Sequence, residues 1–225
     1  MSEGRPATPD PASPTGVAAF DFDGTLTRAD SFVGFLRFVA GTPAVADGLA
    51  RAAVASWGVP RGADPAGRDV AKAVLVRRTL TGRTLTEIEE AGRAYGARCA
   101  AAVTPRMRAT LERHRQAGHL TVIVSASLEV YLRPAADRLG IDHVLGTRLE
   151  VSDGTLTGRL LGANCRGPEK AARLRSWLAS LGLEPVETGL WCYGDSAGDT
   201  DLLAMASFPT RVRRGRPRSS PAGLG

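Results

Sequence analysis

The chain of 225 residues is 43% apolar and 23% charged, long enough for one sizeable core and short for two full-sized domains. Its net charge of +6 is concentrated in Arg211, Arg213, Arg214, Arg216 and Arg218 near the C-terminus, while the central region is close to neutral and lacks an aromatic stacking motif, which argues against nucleic acid as a partner. No uninterrupted apolar run approaches the roughly 20 residues of a membrane span and no apolar signal core opens the chain, so a soluble, cytoplasmic protein is expected.

Residues 1–16 are rich in Pro, Ser and Thr and read as a solvated, disordered tail. At Val17 an apolar run begins that enters DFDGTLT at 21–27, a short buried strand followed by a turn. From 30 to 104 the chain carries Ala, Leu, Val and Arg at helical spacing, broken by GTP at 41–43, a Gly/Pro-rich stretch at 58–67 and TGRT at 81–84. This predicts an inserted cap of about four helices. A further helix begins near Pro105, and Leu120 to Val124 forms a second strand that leads into SAS at 125–127. RLEVSDGTLTGRL alternates apolar residues around Asp153-Gly154, which predicts a β-hairpin. Its SDGTLT echoes DFDGTLT, but Ser152 replaces the first carboxylate and no catalysis is assigned to it. A helix with Leu174 and Leu178 on one side carries Lys170. A third strand, Gly189 to Tyr193, leads into GDSAGDTD and a short apolar helix.

Three strands that end in small polar or acidic residues, each followed by helical sequence, give the βα rhythm of an α/β fold. We expect a Rossmann-like, three-layer parallel-sheet core from 17–29 and 105–210, a helical cap at 30–104, and a ligand beyond the carboxyl ends of the strands. Residues 211–225 form a basic tail flanked by Pro, Ser and Gly, expected to be disordered, although its arginines would suit peripheral contact with an anionic membrane. Cys99, Cys165 and Cys192 lack any paired or metal-binding spacing and read as reduced, incidental thiols.

Asp21 and Asp23 stand at i and i+2 where a strand runs into a Gly-Thr turn, so both carboxylates can be aimed above the sheet. Two carboxylates that close repel unless a proton or cation intervenes. A hard divalent ion such as Mg²⁺ would do this, with Asp195 and Asp199 supplying further acidic ligands. Ser125 offers a hydroxyl and a nearby backbone N–H at a helix start, a way to hold a phosphate oxygen. Lysine is scarce, with Lys72 and Lys170 the only two among 29 basic residues, and the compact ammonium of Lys170 could reach a phosphate as a point charge.

DFDGTLT, Ser125, Lys170 and GDSAGDTD resemble, in order and spacing, the four motifs of the haloacid dehalogenase superfamily of phosphatases. The insertion after the first motif resembles that of subfamily IB, the phosphoserine-phosphatase-like branch. SASLEVYLRPAADRLG, TRLEVSDGTLTGRL and NCRGPEKAARL are similar to a bacterial group within it. The resemblance implies that Asp21 attacks phosphorus to form an aspartyl-phosphate and that Asp23 serves as acid, then base. It implies Mg²⁺ held by Asp21, the Asp23 carbonyl and Asp195 with Asp199 in support, and a small phosphorylated substrate bound through Ser125, Lys170 and backbone N–H groups near Gly24. A lipid phosphatase similar to phosphatidylglycerophosphate phosphatases, or a phosphotransferase sharing the intermediate, are the alternatives. Asp30 stands where phosphoserine phosphatases carry a substrate-binding glutamate and is the specificity candidate. Gly198 stands where their fourth motif often carries Asn. The candidates for a cap arginine are Arg51, Arg61, Arg68, Arg77 and Arg78.

Overall fold

A computed structural model describes residues 16–55, 64–184 and 189–212. Six strands, β1 (Gly16–Phe20), β2 (Leu120–Leu128), β3 (His143–Ser152), β4 (Thr155–Leu161), β5 (Gly189–Gly194) and β6 (Phe208–Arg211), form one sheet in the order β4-β3-β2-β1-β5-β6. All neighbouring pairs are parallel except the β3–β4 hairpin. Asp153 and Gly154 take φ of 48° and 73° at its turn, the doubly left-handed geometry that an Asp-Gly pair suits.

Strand β1 is buried along its length because helices cover both faces of the sheet. Ala18 and Phe20 face the core shared with α4 (Pro105–Gln116) and α5 (Glu129–Leu139), through Met107, Leu111, Tyr131 and Leu132. Val17 and Ala19 face the opposite core, made with α6 (Pro168–Ser180) and α7 (Thr200–Ala204), through Leu174, Leu178 and Leu202. This is the expected three-layer α/β arrangement. Because β1 lies between β2 and β5, connections leave it in opposite directions, which opens a crevice at its carboxyl end.

Between β1 and α4 lie α1 (Phe32–Ala55), α2 (Asp64–Leu80) and α3 (Leu85–Ala101). Gly41 breaks α1 into two segments at φ 80°, ψ 164°, two residues before Pro43. Helix α2 packs on α1 and on the hairpin, and α3 packs on α5. By length and composition α1 is apolar enough to cross a membrane, although the break at Gly41 divides it into two shorter segments. It also carries Arg37, Asp47 and Arg51 and buries Phe35, Leu36 and Val45.

Three expectations change. Ser125 does not stand at a helix start, because β2 continues to Leu128 through a register shift after Val124, and α5 begins at Glu129. Gly16, expected in the N-terminal tail, opens β1. Arg211, expected in the basic tail, closes β6 and donates from Nη1 to the Ser196 carbonyl at 3.3 Å. The rest of both tails, residues 1–15 and 213–225, and Arg61 lie outside the described residues. Cys99, Cys165 and Cys192 are buried free thiols.

Candidate active site

A cavity of about 340 Å³ opens at the carboxyl ends of β1, β2 and β5, and Asp21, Asp23, Gly24, Asp30, Ser125, Lys170, Asp195 and Asp199 all line it. Asp21 follows β1 directly, where its N–H still bonds the Tyr193 carbonyl at 2.9 Å. Asp21 as a whole is 5% exposed. Oδ2 accepts from the Thr25 hydroxyl at 3.1 Å, and Oδ1 accepts from Lys170 Nζ at 2.5 Å. The same ammonium donates to Asp199 Oδ1 at 2.6 Å. Lys170 reaches this point because it sits in the first turn of α6, whose leucines anchor it to the sheet.

Asp199 is fully buried. Its Oδ2 accepts from the N–H of Asp195 at 3.2 Å and from the N–H and hydroxyl of Ser196, each at 2.9 Å, which fixes the loop after β5. Carboxylate oxygens of Asp21, Asp195 and Asp199 lie within 4.8 Å of one another. Gly24 makes the approach of Asp195 achievable, since at φ +87° a Cβ there would stand 2.1 Å from Asp195 Oδ2. The three-carboxylate cluster, backed by this glycine, suits a hard divalent cation such as Mg²⁺, which prefers oxygen donors.

Asp23 faces elsewhere. Its Oδ2 accepts from the Ser127 hydroxyl at 2.5 Å and the Ser31 hydroxyl at 2.9 Å, and its Oδ1 accepts from the Ser31 N–H at 2.9 Å. Behind them the Tyr131 hydroxyl lies 3.0 Å from Ser31 Oγ. Ser125 Oγ, almost fully buried, accepts from the Ser127 N–H at 3.2 Å. The sequence reading missed Ser31, Ser127 and Tyr131, although the alternation of Ser125 and Ser127 in SAS was a usable signal.

Burial raises Asp21 to about 7, with Lys170 opposing and Asp199 and Asp23 adding. Burial likewise raises Asp23 to about 6, against the serine hydrogen bonds. For Asp199 burial is outweighed by Lys170 and Ser196, which together hold its carboxyl below the usual range. Lys170 is held above the usual lysine value, because Asp21 and Asp199 outweigh the penalty of burial.

Asp30 is exposed at the cavity mouth, and its Oδ1 accepts from the Val33 N–H at 3.2 Å in the first turn of α1. Of the cap arginines, Arg68 lines the cavity, whereas Arg51 and Arg78 pair with Asp47 on the surface. Lys72, to which the sequence reading gave no role, also lines it and is 7% exposed.

The haloacid dehalogenase-like hydrolase family matches residues 18–204. Protein CicA of Caulobacter vibrioides is 38% identical over 222 residues, covering 96% of this chain and 95% of its own. A histidinol-phosphatase of Neisseria meningitidis is 34% identical over 112 residues, covering 49% of this chain and 50% of its own. The crystal structure of an apo phosphoserine phosphatase superposes with a TM-score of 0.60 at 19% identity, covering 86% of this chain and 84% of its own. The chain belongs to the haloacid dehalogenase-like hydrolases and is a phosphatase.

Proposed function

We propose that the protein is a Mg²⁺-dependent phosphomonoester hydrolase that acts on a small phosphorylated metabolite through an aspartyl-phosphate on Asp21. The observation that carries this reading is the shared ammonium of Lys170, 2.5 Å from Asp21 Oδ1 and 2.6 Å from Asp199 Oδ1, beside the carboxylate of Asp195. Two roles follow for neighbouring carboxylates in different surroundings.

Asp21, oriented by Thr25 and Lys170, attacks phosphorus in line, and the ester P–O bond breaks. The departing alkoxide takes a proton from Asp23. Both hydroxyls on Asp23, those of Ser31 and Ser127, can reverse from donor to acceptor, so they hold Asp23 in either protonation state. Asp23 then takes a proton from the water that attacks the phosphorylated Asp21, which restores the carboxylate and releases phosphate. Lys170 and Ser125 gather charge on the transferring oxygens, the main demand of phosphoryl transfer. Asp21 and Asp195, with Asp199 behind them, would hold Mg²⁺, which when bound supplies further positive charge against those oxygens. Helices α1–α3 act as a cap that encloses the leaving group.

The test is hydrolysis of 4-nitrophenyl phosphate with Mg²⁺ and after chelation. Asp21→Asn should lose turnover, since an amide cannot attack phosphorus. Asp23→Asn should lose alkyl phosphate hydrolysis while still accepting phosphate from the aryl ester, whose leaving group needs no proton. Normal turnover by Asp21→Asn overturns the reading.

A further inference from the structure

Tyr131, in the first turn of α5, is fully buried, its ring against those of Phe35 and Tyr95 at centroid distances of 4.8 and 5.5 Å. A phenylalanine would fill the same space, so the hydroxyl needs its own account, because burying one is unfavourable unless it is hydrogen-bonded. It lies 3.0 Å from Ser31 Oγ and also bonds the Ser127 hydroxyl. Each of those serines already gives its one hydroxyl proton to Asp23 Oδ2, Ser127 at 2.5 Å and Ser31 at 2.9 Å. The Tyr131 proton therefore goes to a serine oxygen, and Tyr131 stands at the closed end of a chain of donors that runs one way, toward Asp23.

That direction decides which Asp23 oxygen is left for chemistry. A carboxylate offers about four acceptor sites. Two on Oδ2 are filled by the serine hydroxyls and one on Oδ1 by the Ser31 N–H at 2.9 Å. The site that remains is on Oδ1, in a residue that lines the active cavity. The serine hydroxyls are able to turn either way, and a tyrosine that donates to them biases them toward Asp23. The network also joins distant parts of the chain. Ser127 on β2 and Tyr131 on α5 belong to the core, whereas Ser31 immediately precedes α1, and its carbonyl accepts from the Tyr95 hydroxyl of α3 at 3.1 Å. The acid is thus held from the core and from the cap at once.

We propose that Tyr131 is a positioning residue that, through Ser31 and Ser127, keeps the transferable proton of Asp23 on Oδ1, toward the leaving group. The assignment rests on the phosphatase reading above and concerns the same acid. As the ester P–O bond breaks, its electron pair stays on the alcohol oxygen, the Oδ1 proton moves to that oxygen, and Asp23 is left as the carboxylate its donors hold. Without the tyrosine hydroxyl the serines turn, protonation at Oδ2 competes, and a share of the acid points away from the substrate.

The experiment uses 4-nitrophenyl phosphate, whose leaving group needs no proton, and benzyl phosphate, an alkyl ester of similar size whose leaving group does. Steady-state kcat/KM is measured with the full chain and Mg²⁺ for the wild type, Tyr131→Phe, Ser127→Ala and Asp23→Asn. Loss of aim in Tyr131→Phe should lower kcat/KM for benzyl phosphate roughly 10- to 100-fold more than for 4-nitrophenyl phosphate. Ser127→Ala, which removes a link between the tyrosine and the acid, should shift the ratio the same way. A purely structural hydroxyl lowers both rates together, and each ratio comes from one preparation, so partly unfolded protein does not distort it. A smaller shift in Tyr131→Phe, or none in Ser127→Ala, overturns the assignment, and a selective loss of benzyl phosphate turnover in Asp23→Asn then leaves the phosphatase reading standing. An unchanged ratio in Asp23→Asn, or a wild type that cleaves only the aryl ester, overturns the acid role of Asp23 and the assignment with it.

Discussion

Replacing Lys170 by methionine keeps the length and much of the volume of a side chain that is 4% exposed, and removes only the ammonium. Two buried hydrogen-bonded ion pairs, at 2.5 and 2.6 Å, disappear together. Removing one partner of a buried pair costs about 3–5 kcal/mol, because the other charge is left uncompensated. The two carboxylates do not share that cost equally. Asp21 sits at about 7 even beside Lys170, so without it the group takes up a proton near neutral pH at little expense. Asp199 is held below the usual carboxylate range largely by Lys170, and its charge becomes the orphan. The expected loss is therefore near the lower bound, about 3 kcal/mol, or about 6–12 °C in Tm for a chain of this size. Thermal and urea unfolding at pH 7 with a chelator would measure it. Adding Asp199→Asn to Lys170→Met should recover stability, since the amide keeps an acceptor for Ser196 and removes the orphan charge. A loss under about 1 kcal/mol, or a double variant weaker than Lys170→Met alone, refutes this account of the site.

Gly24→Ala should raise the Mg²⁺ concentration for half-maximal activity, because the new Cβ would occupy the space of Asp195 Oδ2 at 2.1 Å. The left-handed backbone should add about 1–2 kcal/mol of instability, and an unchanged metal titration refutes the cradle. A different part of the fold governs acid stability. His114 is fully buried, with ring nitrogens 2.8 Å from His119 Nδ1 and 2.8 Å from the Tyr193 hydroxyl. Burial, with His119 and Arg113 adding, lowers its pKa from 6.5 to about 4. The neutral ring is thus favoured in the fold, and its contribution is present above the unfolded value and lost as pH falls from 6.5 toward 4. Between pH 7 and 5 this amounts to as much as about 2 kcal/mol, read as a drop in the urea midpoint. His114→Gln should flatten that drop, and an equal drop in the variant refutes it.

What the sequence made legible follows from locality. Val17 to Phe20, Leu120 to Val124 and Gly189 to Tyr193 are contiguous apolar runs that end in polar groups, so strand identity and the placing of Asp21 and Asp195 could be read without knowing the neighbours. The hairpin was legible because Asp153-Gly154 states its own turn. Lys72 was not legible, because its meaning depends on α2 meeting Ala126, 54 residues away, and Asn164, 92 residues away. The partners of Asp23 were hidden for the same reason, since Ser127 lies 104 residues from it. Strand β6, four residues long, offers too few positions for a period to emerge, and the extension of β2 past Ser125 depends on its pairing with β3 rather than on its own residues.

The environments of the two carboxylates at i and i+2 also bear on whether a cation belongs to the site. A nucleophile has to be ionised and a general acid has to hold its proton, so the first should have the lower pKa. Burial lifts both, to about 7 for Asp21 and about 6 for Asp23, and so does not set the nucleophile below the acid. Lys170 opposes the rise at Asp21, but its charge is shared with Asp199. Asp21 belongs to the cluster with Asp195 and Asp199, whereas the Asp23 carboxylate turns toward Ser31 and Ser127 and stays outside it. A divalent ion among the first three would favour the ionised form of Asp21 more than that of Asp23, which is the order the chemistry needs. The serine hydrogen bonds thus matter as much for where they direct Asp23 as for how strongly they hold it.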